Sequence, residues 1–143
     1  MKISAKGRYA LRLMIDLAQH DSGDWIALKD ISKRQGISVK YLEQIVSGLS
    51  RAGLLRSSRG AAGGYQLTRP AAEYTAGEII RALEGPLAPV ACLDHDPNRC
   101  PRRDICPTIG LWEGLYKVVN EYLDSVTLAD VAEKESPLCD YSI

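Results

Sequence analysis

Apolar positions in the first third of the chain recur at helical spacing and predict three helices. The first helix ends near the turn Asp21-Ser22-Gly23. A second helix covers about residues 28–35 and stops at Gly36, and a third runs from the N-cap residue Ser38 to about residue 52. The buried faces of the first and third helices are Ile3, Tyr9, Ala10, Leu13, Met14, Leu17 and Ala18, and Leu42, Ile45, Val46 and Leu49.

A glycine-rich stretch then separates two short segments with the pattern of β-strands. These segments lie at about residues 54–57 and 65–68, and the seven residues 58–64 between them cannot form a helix. Thr75-Ala76-Gly77-Glu78 is a capping box that starts a fourth helix, which continues to Gly85-Pro86. Residues 86–108 form an irregular segment with five prolines and three cysteines.

A long helix is predicted from near Pro107, with apolar residues spaced 3, 4, 3, 4 and 3 apart. This is a heptad seam over about five turns of helix. The seam either packs onto the protein's own core or joins two copies. A helix this long in so small a domain has little else to bury against, which favours a homodimer. The seam residues are Ile109, Trp112, Tyr116, Val119, Leu123 and Val126.

The predicted fold class is therefore mainly α with a small β-hairpin. We expect a winged helix-turn-helix DNA-binding domain over residues 1–85, a cysteine-containing loop over 86–108, and a dimerisation helix with a C-terminal tail over 109–143.

Charge is distributed unevenly along the 143 residues, although the net charge is zero. Residues 1–70 carry 12 Lys and Arg against 5 Asp and Glu, whereas residues 71–143 carry 6 against 13. A basic half joined to an acidic half indicates that one end meets a polyanion, although chance clustering on solvated faces gives the same count. Neither a signal peptide nor a membrane-spanning run is recognisable, so we expect a cytoplasmic protein with reduced thiols.

Residues 28–45 have the pattern of a helix-turn-helix. Gly36 permits the sharp turn, and the third helix can enter the major groove with its N-terminal turns nearest the bases. Glu43 can only accept a hydrogen bond there, most naturally from a cytosine amino group. Lys40 and Arg51 can alternatively be solvated charges, and Gln44 an inert surface residue. The outward residues of the third helix are Ser38, Val39, Lys40, Glu43, Gln44 and Ser47.

The hairpin loop is predicted to be the wing. Arg56, Arg59 and Arg69 flank its glycine-rich tip, where Gly60 and Gly63 let the backbone approach phosphate or enter the minor groove. The alternative is a flexible surface turn.

Three cysteines, Cys92, Cys100 and Cys106, lie in the proline-rich loop, and seven and then five residues separate them. This spacing does not match a CxxC zinc knuckle. The loop can bring three thiolates onto an iron–sulfur cluster, which needs four protein ligands. A reactive-thiol sensor beside the loop's arginines, structural zinc, and three cysteines without a ligand are the alternatives. Cys139 is expected to be unrelated to this group.

The sequence resembles the Rrf-type winged-helix regulators, and within them the iron–sulfur cluster regulators of the IscR type. The resemblance covers nearly the whole chain. It is carried by Lys6-Gly7-Arg8-Tyr9-Ala10, Ile37-Ser38, Tyr41-Leu42-Glu43-Gln44, Arg59-Gly60, Gly63-Gly64-Tyr65, Leu111-Trp112 and Val126-Thr127-Leu128-Ala129-Asp130.

The resemblance implies a homodimer that binds double-stranded promoter DNA and regulates iron–sulfur cluster biogenesis genes. It implies that Cys92, Cys100 and Cys106 bind a 2Fe–2S cluster, and that Glu43 helps to discriminate two promoter classes. The residue pattern and the resemblance together predict DNA contacts from Ser38, Lys40, Tyr41, Glu43, Gln44, Arg59, Gly60 and Gly63.

The chain departs from the IscR pattern at the cysteine loop. The spacing between Cys92 and Cys100 is longer, and Ile109 stands where those relatives carry a histidine ligand. Relatives that sense nitric oxide carry a 4Fe–4S cluster on three cysteines. A fourth ligand has to come from elsewhere, such as Asp94, His95, Asp96 or Asp104, the partner chain, or a small thiol.

Two other functions stay open on the sequence alone. One is a regulator of the same fold without a cluster, acting on redox or cysteine metabolism through its thiols or a partner protein. The other is an iron–sulfur electron-transfer protein. An enzyme is not expected, because the sequence contains neither a phosphate loop nor a Ser/His/Asp arrangement.

Overall fold

The computed structural model describes residues 1–133, which form six α-helices and one antiparallel hairpin. The predicted order of elements is confirmed up to the long C-terminal helix, with element boundaries shifted by a few residues at most. In chain order the elements are α1 (Ala5–Gln19), α2 (Leu28–Gln35), α3 (Val39–Arg51), β1 (Leu55–Ser58), β2 (Gly64–Leu67), α4 (Ala76–Glu84), α5 (Ile109–Ser125) and α6 (Leu128–Glu133). Cys139 lies outside the described residues.

The core is centred on α1, which packs against α2, α3, α4 and α6. The apolar faces predicted for α1 and α3 are the buried ones, because spacings of three and four residues place these side chains on one side of each helix. The exceptions are Tyr9 and Ala18, which are half-buried, and Ile3, which precedes α1 and is half-buried. The fully buried side chains of this cluster include Ala10, Leu13, Met14, Leu17, Ile31, Leu42, Ile45, Leu49, Tyr74 and Ile79.

The turn between α2 and α3 has the geometry that the sequence predicts. Gly36 adopts a left-handed conformation with φ of 66°, which ends α2. The Ser32 hydroxyl donates a hydrogen bond to the Ile37 carbonyl at 2.5 Å and braces the turn from inside. Ser38 then caps α3, with its hydroxyl oxygen accepting from the Tyr41 amide at 3.2 Å. Together these contacts fix the angle at which α3 leaves α2.

Buried Tyr74 anchors the base of the hairpin. Its hydroxyl donates to the Leu54 carbonyl at 2.7 Å and accepts from the Thr68 amide at 2.8 Å and the Arg69 amide at 3.2 Å. In the hairpin itself, Leu55 pairs with Leu67 at one end and Ser58 pairs with Gly64 at the other. The wing is therefore held at its base by a side chain that is fully buried in the core.

Helix α5 is attached to the rest of the chain at its C-terminal end. Arg81 of α4 forms an ion pair with Asp124 at 2.5 Å, and the Ala76 amide donates to the Val126 carbonyl at 2.8 Å. Thr127 and Asp130 then form a capping box that starts α6, a separate short helix that the sequence analysis does not predict. No helix within residues 1–133 is long and apolar enough to cross a membrane.

Candidate nucleic-acid interface and cysteine loop

The outward face of α3 carries a row of exposed polar side chains. Lys40, Glu43, Gln44 and Ser47 are all exposed, as predicted, while the opposite face of the helix is buried. Ser38 is also exposed, but its hydroxyl oxygen already serves as the N-cap of α3. Its hydroxyl proton remains available for donation to an acceptor such as a phosphate oxygen.

Tyr41 differs from the other predicted contact residues because it is half-buried between α1 and α3. Its ring meets that of Tyr9 edge-on, with the ring centroids 5.7 Å apart and an interplanar angle of 81°. The guanidinium of Arg12 lies 5.2 Å from the centroid of the Tyr9 ring. The Tyr41 ring therefore helps to set the orientation of α3 on α1, and this role does not depend on what its hydroxyl group binds.

The wing tip presents Arg59, Gly60 and Gly63 in a tight turn. Gly60 has φ of 100°, a conformation that favours glycine, and its carbonyl accepts from the Gly63 amide at 3.0 Å. A Cβ atom on Gly63 would overlap the Ser58 carbonyl oxygen. Both glycines are thus required by the turn itself, and the exposed Arg59 is the cation at its tip.

The two other wing arginines are engaged within the protein. Arg69 forms an ion pair with Glu78 at 2.6 Å and lies over the Tyr74 ring, 4.3 Å from its centroid. Arg56 donates to the Gln66 side chain at 3.0 Å. Of the three arginines that flank the predicted wing, Arg59 is therefore the one best placed to contact DNA.

A third segment, not predicted from the sequence, pairs with the hairpin. Ile26, in the connection between α1 and α2, exchanges two backbone hydrogen bonds with Tyr65, at 3.1 and 2.9 Å. Gly64 permits this approach, because a Cβ there would overlap the Ile26 carbonyl oxygen. The glycine between the wing tip and Tyr65 was the available signal.

The three cysteines of the loop are half-buried free thiols. Among residues 1–133, no three His, Cys, Asp or Glu side chains gather closely enough to hold a metal ion. Thiolate chemistry suits an iron–sulfur cluster, but the described conformation of Cys92, Cys100 and Cys106 does not form a site for one. Ile109 is half-buried at the start of α5 and offers no donor atom, whereas Asp94, His95, Asp96 and Asp104 are exposed.

Cys106 has the most distinctive thiol environment of the three. Its sulfur lies 3.4 Å from the Thr108 hydroxyl oxygen. Hydrogen bonding to the Thr108 side chain is the largest cause that lowers the pKa of the Cys106 thiol, and the positive charge of Arg102 acts in the same direction. A lowered thiol pKa increases the thiolate fraction, which is the form that binds metal and reacts with oxidants.

Two apolar stripes run along α5. The predicted heptad seam is half-buried within the single chain, but its last member, Val126, lies just beyond the end of α5 and has an extended backbone. A second stripe, not predicted from the sequence, is exposed on the neighbouring side of the helix. It comprises Leu111, Leu115, Val118 and Tyr122, with exposures of 65, 39, 62 and 67%. Such a row is unusual for a surface that faces only water.

Known proteins resemble the chain along most of its length. Protein rrf2 of Nitratidesulfovibrio vulgaris is 41% identical over 139 residues, which are 97% of this chain and 91% of that protein. CymR of Bacillus subtilis is 47% identical over 133 residues, 92% of this chain and 90% of that protein.

Solved structures give the same relationship in three dimensions. The structure of CymR, the global cysteine regulator of B. subtilis, matches with a TM-score of 0.76 at 43% identity, covering 95% of this chain and 99% of that one. The structure of T. potens IscR matches with a TM-score of 0.72 at 39% identity, covering 95% and 93%.

The family model for Rrf2, described as an iron-dependent transcriptional regulator, matches residues 3–134. The winged-helix fold, the exposed polar face of α3 and this match lead to one conclusion. The chain belongs to the Rrf2 family of winged-helix transcriptional regulators, which are DNA-binding proteins and not enzymes.

Proposed function

We propose that the chain is a cytoplasmic regulator that binds double-stranded promoter DNA as a homodimer. The observation that carries the proposal is the row of exposed polar side chains along α3, with Arg59 at the tip of the adjacent wing. In this arrangement α3 reads the major groove through Lys40, Glu43 and Gln44, while the wing reaches phosphate or the minor groove. We assign DNA binding to residues 1–85, sensing to residues 86–108 and dimerisation to residues 109–143.

The exposed stripe on α5 supports the homodimer. α5 has 17 residues and is therefore about 25 Å long. Its exposed apolar residues recur every three or four positions, which suits packing against an equivalent helix of a second copy. Two copies related by a twofold axis would present two recognition helices to the two halves of a palindromic site.

For the sensor, we propose that the loop over residues 86–108 binds an iron–sulfur cluster through Cys92, Cys100 and Cys106, with a 2Fe–2S cluster as the expected form. Three thiols within one loop, and the similarity to T. potens IscR, support this assignment. The regulated genes would then be those of cluster biogenesis. Because the loop does not gather these thiols in the described conformation, cluster binding requires it to rearrange.

A second candidate is a regulator that responds to thiol chemistry without a cluster. The half-buried free thiols and the similarity to CymR, the global cysteine regulator of B. subtilis, favour it. Genes of cysteine or redox metabolism would be the targets in this case.

Visible absorption with iron and sulfide assays on anaerobically purified protein separates the two candidates. A cluster gives visible absorption and roughly equal amounts of iron and sulfide. Replacing Cys92, Cys100 and Cys106 with Ala should abolish the absorption but leave the protein folded, whereas the matched control Cys139→Ala should retain it. A colourless, iron-free protein that cannot be reconstituted would favour the thiol regulator. An iron content of about four per chain would identify a 4Fe–4S form.

Titration of a fluorescent promoter duplex at several salt concentrations tests the DNA-binding proposal itself. We expect the association constant to fall steeply as salt rises, because each phosphate contact releases counterions. A cluster-containing protein that binds no promoter fragment at low salt would instead indicate electron transfer.

A further inference from the structure

Two cationic side chains outside the interface described above share a cleft between α1, α3 and α4. Lys6 is in the first turn of α1, and Arg51 is the last residue of α3. The cleft has a volume of about 450 Å³. Its remaining lining residues are Gly48, Ala52, Ala82 and Leu83.

We propose that this Lys6–Arg51 cleft binds a backbone phosphate of the same duplex that α3 reads, so that the DNA footprint extends to the start of α1. The inference rests on the proposed DNA-binding function and adds to it a contact that carries no base specificity.

Both cations are available for an external anion. Within residues 1–133, neither Lys6 nor Arg51 takes part in an ion pair. Arg51 makes a long hydrogen bond of 3.4 Å to the Ser47 hydroxyl, which leaves most of its five guanidinium donors unused. Small residues keep the cleft open, since Gly48, Ala52 and Ala82 place little or no side chain inside it.

The position of Arg51 on α3 indicates which anion reaches the cleft. Arg51 is exposed and follows Lys40, Gln44 and Ser47 by 11, 7 and 4 residues. These intervals are close to whole turns of helix, so all four side chains lie on the same face. A duplex that meets the beginning of this face therefore runs past Arg51 at its end.

The length of α3 indicates which part of the duplex Arg51 meets. α3 has 13 residues and is thus about 20 Å long. The major groove of B-DNA is only about 12 Å wide. When the N-terminal turns of α3 contact base edges, its last turn therefore lies beside a sugar–phosphate strand.

The backbone turn that carries Lys6 is held in place before any DNA binds. The Glu84 carboxylate accepts hydrogen bonds from the Ser4 amide at 2.9 Å and the Gly7 amide at 3.2 Å, which fixes the turn that carries Lys6. Lys6 is half-buried, so its side chain loses less conformational entropy on binding a phosphate than a fully exposed lysine does. The negative charge of Glu84 is itself balanced by the amides of the helix N-terminus.

The test compares Lys6→Gln and Arg51→Gln with the unaltered protein in duplex titrations across a range of salt concentrations. Each substitution removes one phosphate contact per chain. The slope of log association constant against log salt should therefore become shallower by about 0.9 per chain, or about 1.8 for a dimer. At about 0.1 M salt, each substitution should lower the affinity by about eightfold per chain, which amounts to about sixtyfold for a dimer. The reduction should be equal for a cognate and an unrelated duplex.

Lys117→Gln, at an exposed position of α5, is the matched control and should leave the slope unchanged. Circular dichroism verifies that each variant is folded.

If both cleft variants bind the duplex with wild-type affinity and unaltered slopes, the inference is overturned and the proposed function stays intact. A reduction confined to the cognate duplex would also overturn it, because that result indicates base reading. If inorganic phosphate perturbs the amide resonances of Gly48 and Arg51 while both variants bind duplex normally, the cleft takes a free anion instead. Absence of duplex binding by the wild type would reject the proposed function itself.

Discussion

Arg34 of α2 donates two hydrogen bonds to the fully buried carboxylate of Asp16 in α1, at 2.9 Å from Nε and 2.7 Å from Nη2. Gln35 adds a third donor to the same carboxylate at 3.0 Å. The hydrogen bonds to Asp16 raise the pKa of Arg34, so the guanidinium stays charged at any physiological pH. This ion pair ties the first helix of the helix-turn-helix to the centre of the core.

Replacing Arg34 with Ala should therefore destabilise the protein strongly. The substitution leaves the Asp16 charge buried with Gln35 as its remaining side-chain donor from α2. Breaking a buried pair in this way costs about 3–5 kcal/mol, and the partial exposure of Arg34 favours the lower end. Urea unfolding measures the destabilisation, with Lys33→Ala on the same helix as the control. A midpoint for Arg34→Ala equal to that of the control would show that the pair contributes little.

Glu43→Ala should relax the choice of DNA sequence more than it weakens binding. A carboxylate in the groove is repelled by phosphates and is favourable only where it accepts a hydrogen bond from a base. Removing it lowers affinity for the preferred sequence and raises affinity for others, with a reduction of about 1–3 kcal/mol in discrimination. Competition titrations with duplexes altered one base pair at a time measure this ratio, and Glu113→Ala on α5 is the control. An unchanged ratio would place Glu43 outside the groove.

Gly64→Ala should disable the wing while the helix-turn-helix stays folded. The added Cβ would overlap the Ile26 carbonyl oxygen and lie 2.9 Å from the Ala27 nitrogen, and these backbone atoms cannot move cheaply. We expect a destabilisation of about 1–3 kcal/mol and a displaced hairpin. DNA affinity should then fall as it does in Arg59→Ala, by about 1–3 kcal/mol if Arg59 contacts a groove. Ala62→Ser at the wing tip is the control, and normal DNA binding by Gly64→Ala would contradict this account.

The sequence was sufficient for the fold where local signals and tertiary packing agree. Ser38, Gly36 and the Thr75–Glu78 capping box mark helix ends by hydrogen bonds within a few residues, and the structure confirms each of them. The Ile26–Tyr65 pairing joins segments far apart in sequence, so Gly64 indicates that a backbone approaches closely but does not identify which segment does so. Helix α6 was missed because the heptad pattern was read through Val126 as one continuous helix, although Thr127 and Asp130 have the spacing of a capping box.

The candidate site was predictable only where exposure follows from helical periodicity. The exposed positions of Lys40, Glu43 and Gln44 follow from the buried face of α3. The partners of Arg69 cannot be predicted in this way, because its ion pair with Glu78 depends on how α4 packs beside the hairpin. The arrangement of the three cysteines cannot be predicted either, since their spacing along the sequence does not determine the conformation of the loop.

The exposed stripe on α5 yields the last prediction, because it identifies the side of the helix that a second copy covers. Leu111, Leu115, Val118 and Tyr122 are spaced 4, 3 and 4 apart, and their stripe lies about 100° around the helix from the predicted seam. The seam is already half-buried within one chain. A dimer that buries the exposed stripe gives α5 a continuous apolar contact on both sides.

Val118→Lys and Leu111→Lys should therefore give folded monomers, because a lysine in an apolar helix–helix contact is desolvated without a partner. Sedimentation equilibrium measures the mass, and Glu121→Lys, on the polar side of α5, is the matched control that should remain dimeric. Affinity for a palindromic duplex should fall when the second recognition helix is no longer tethered, whereas affinity for a half-site should change little. Lysine variants that stay dimeric would place the interface elsewhere. Unfolding of both variants at low denaturant would instead assign the stripe to the packing of the single chain.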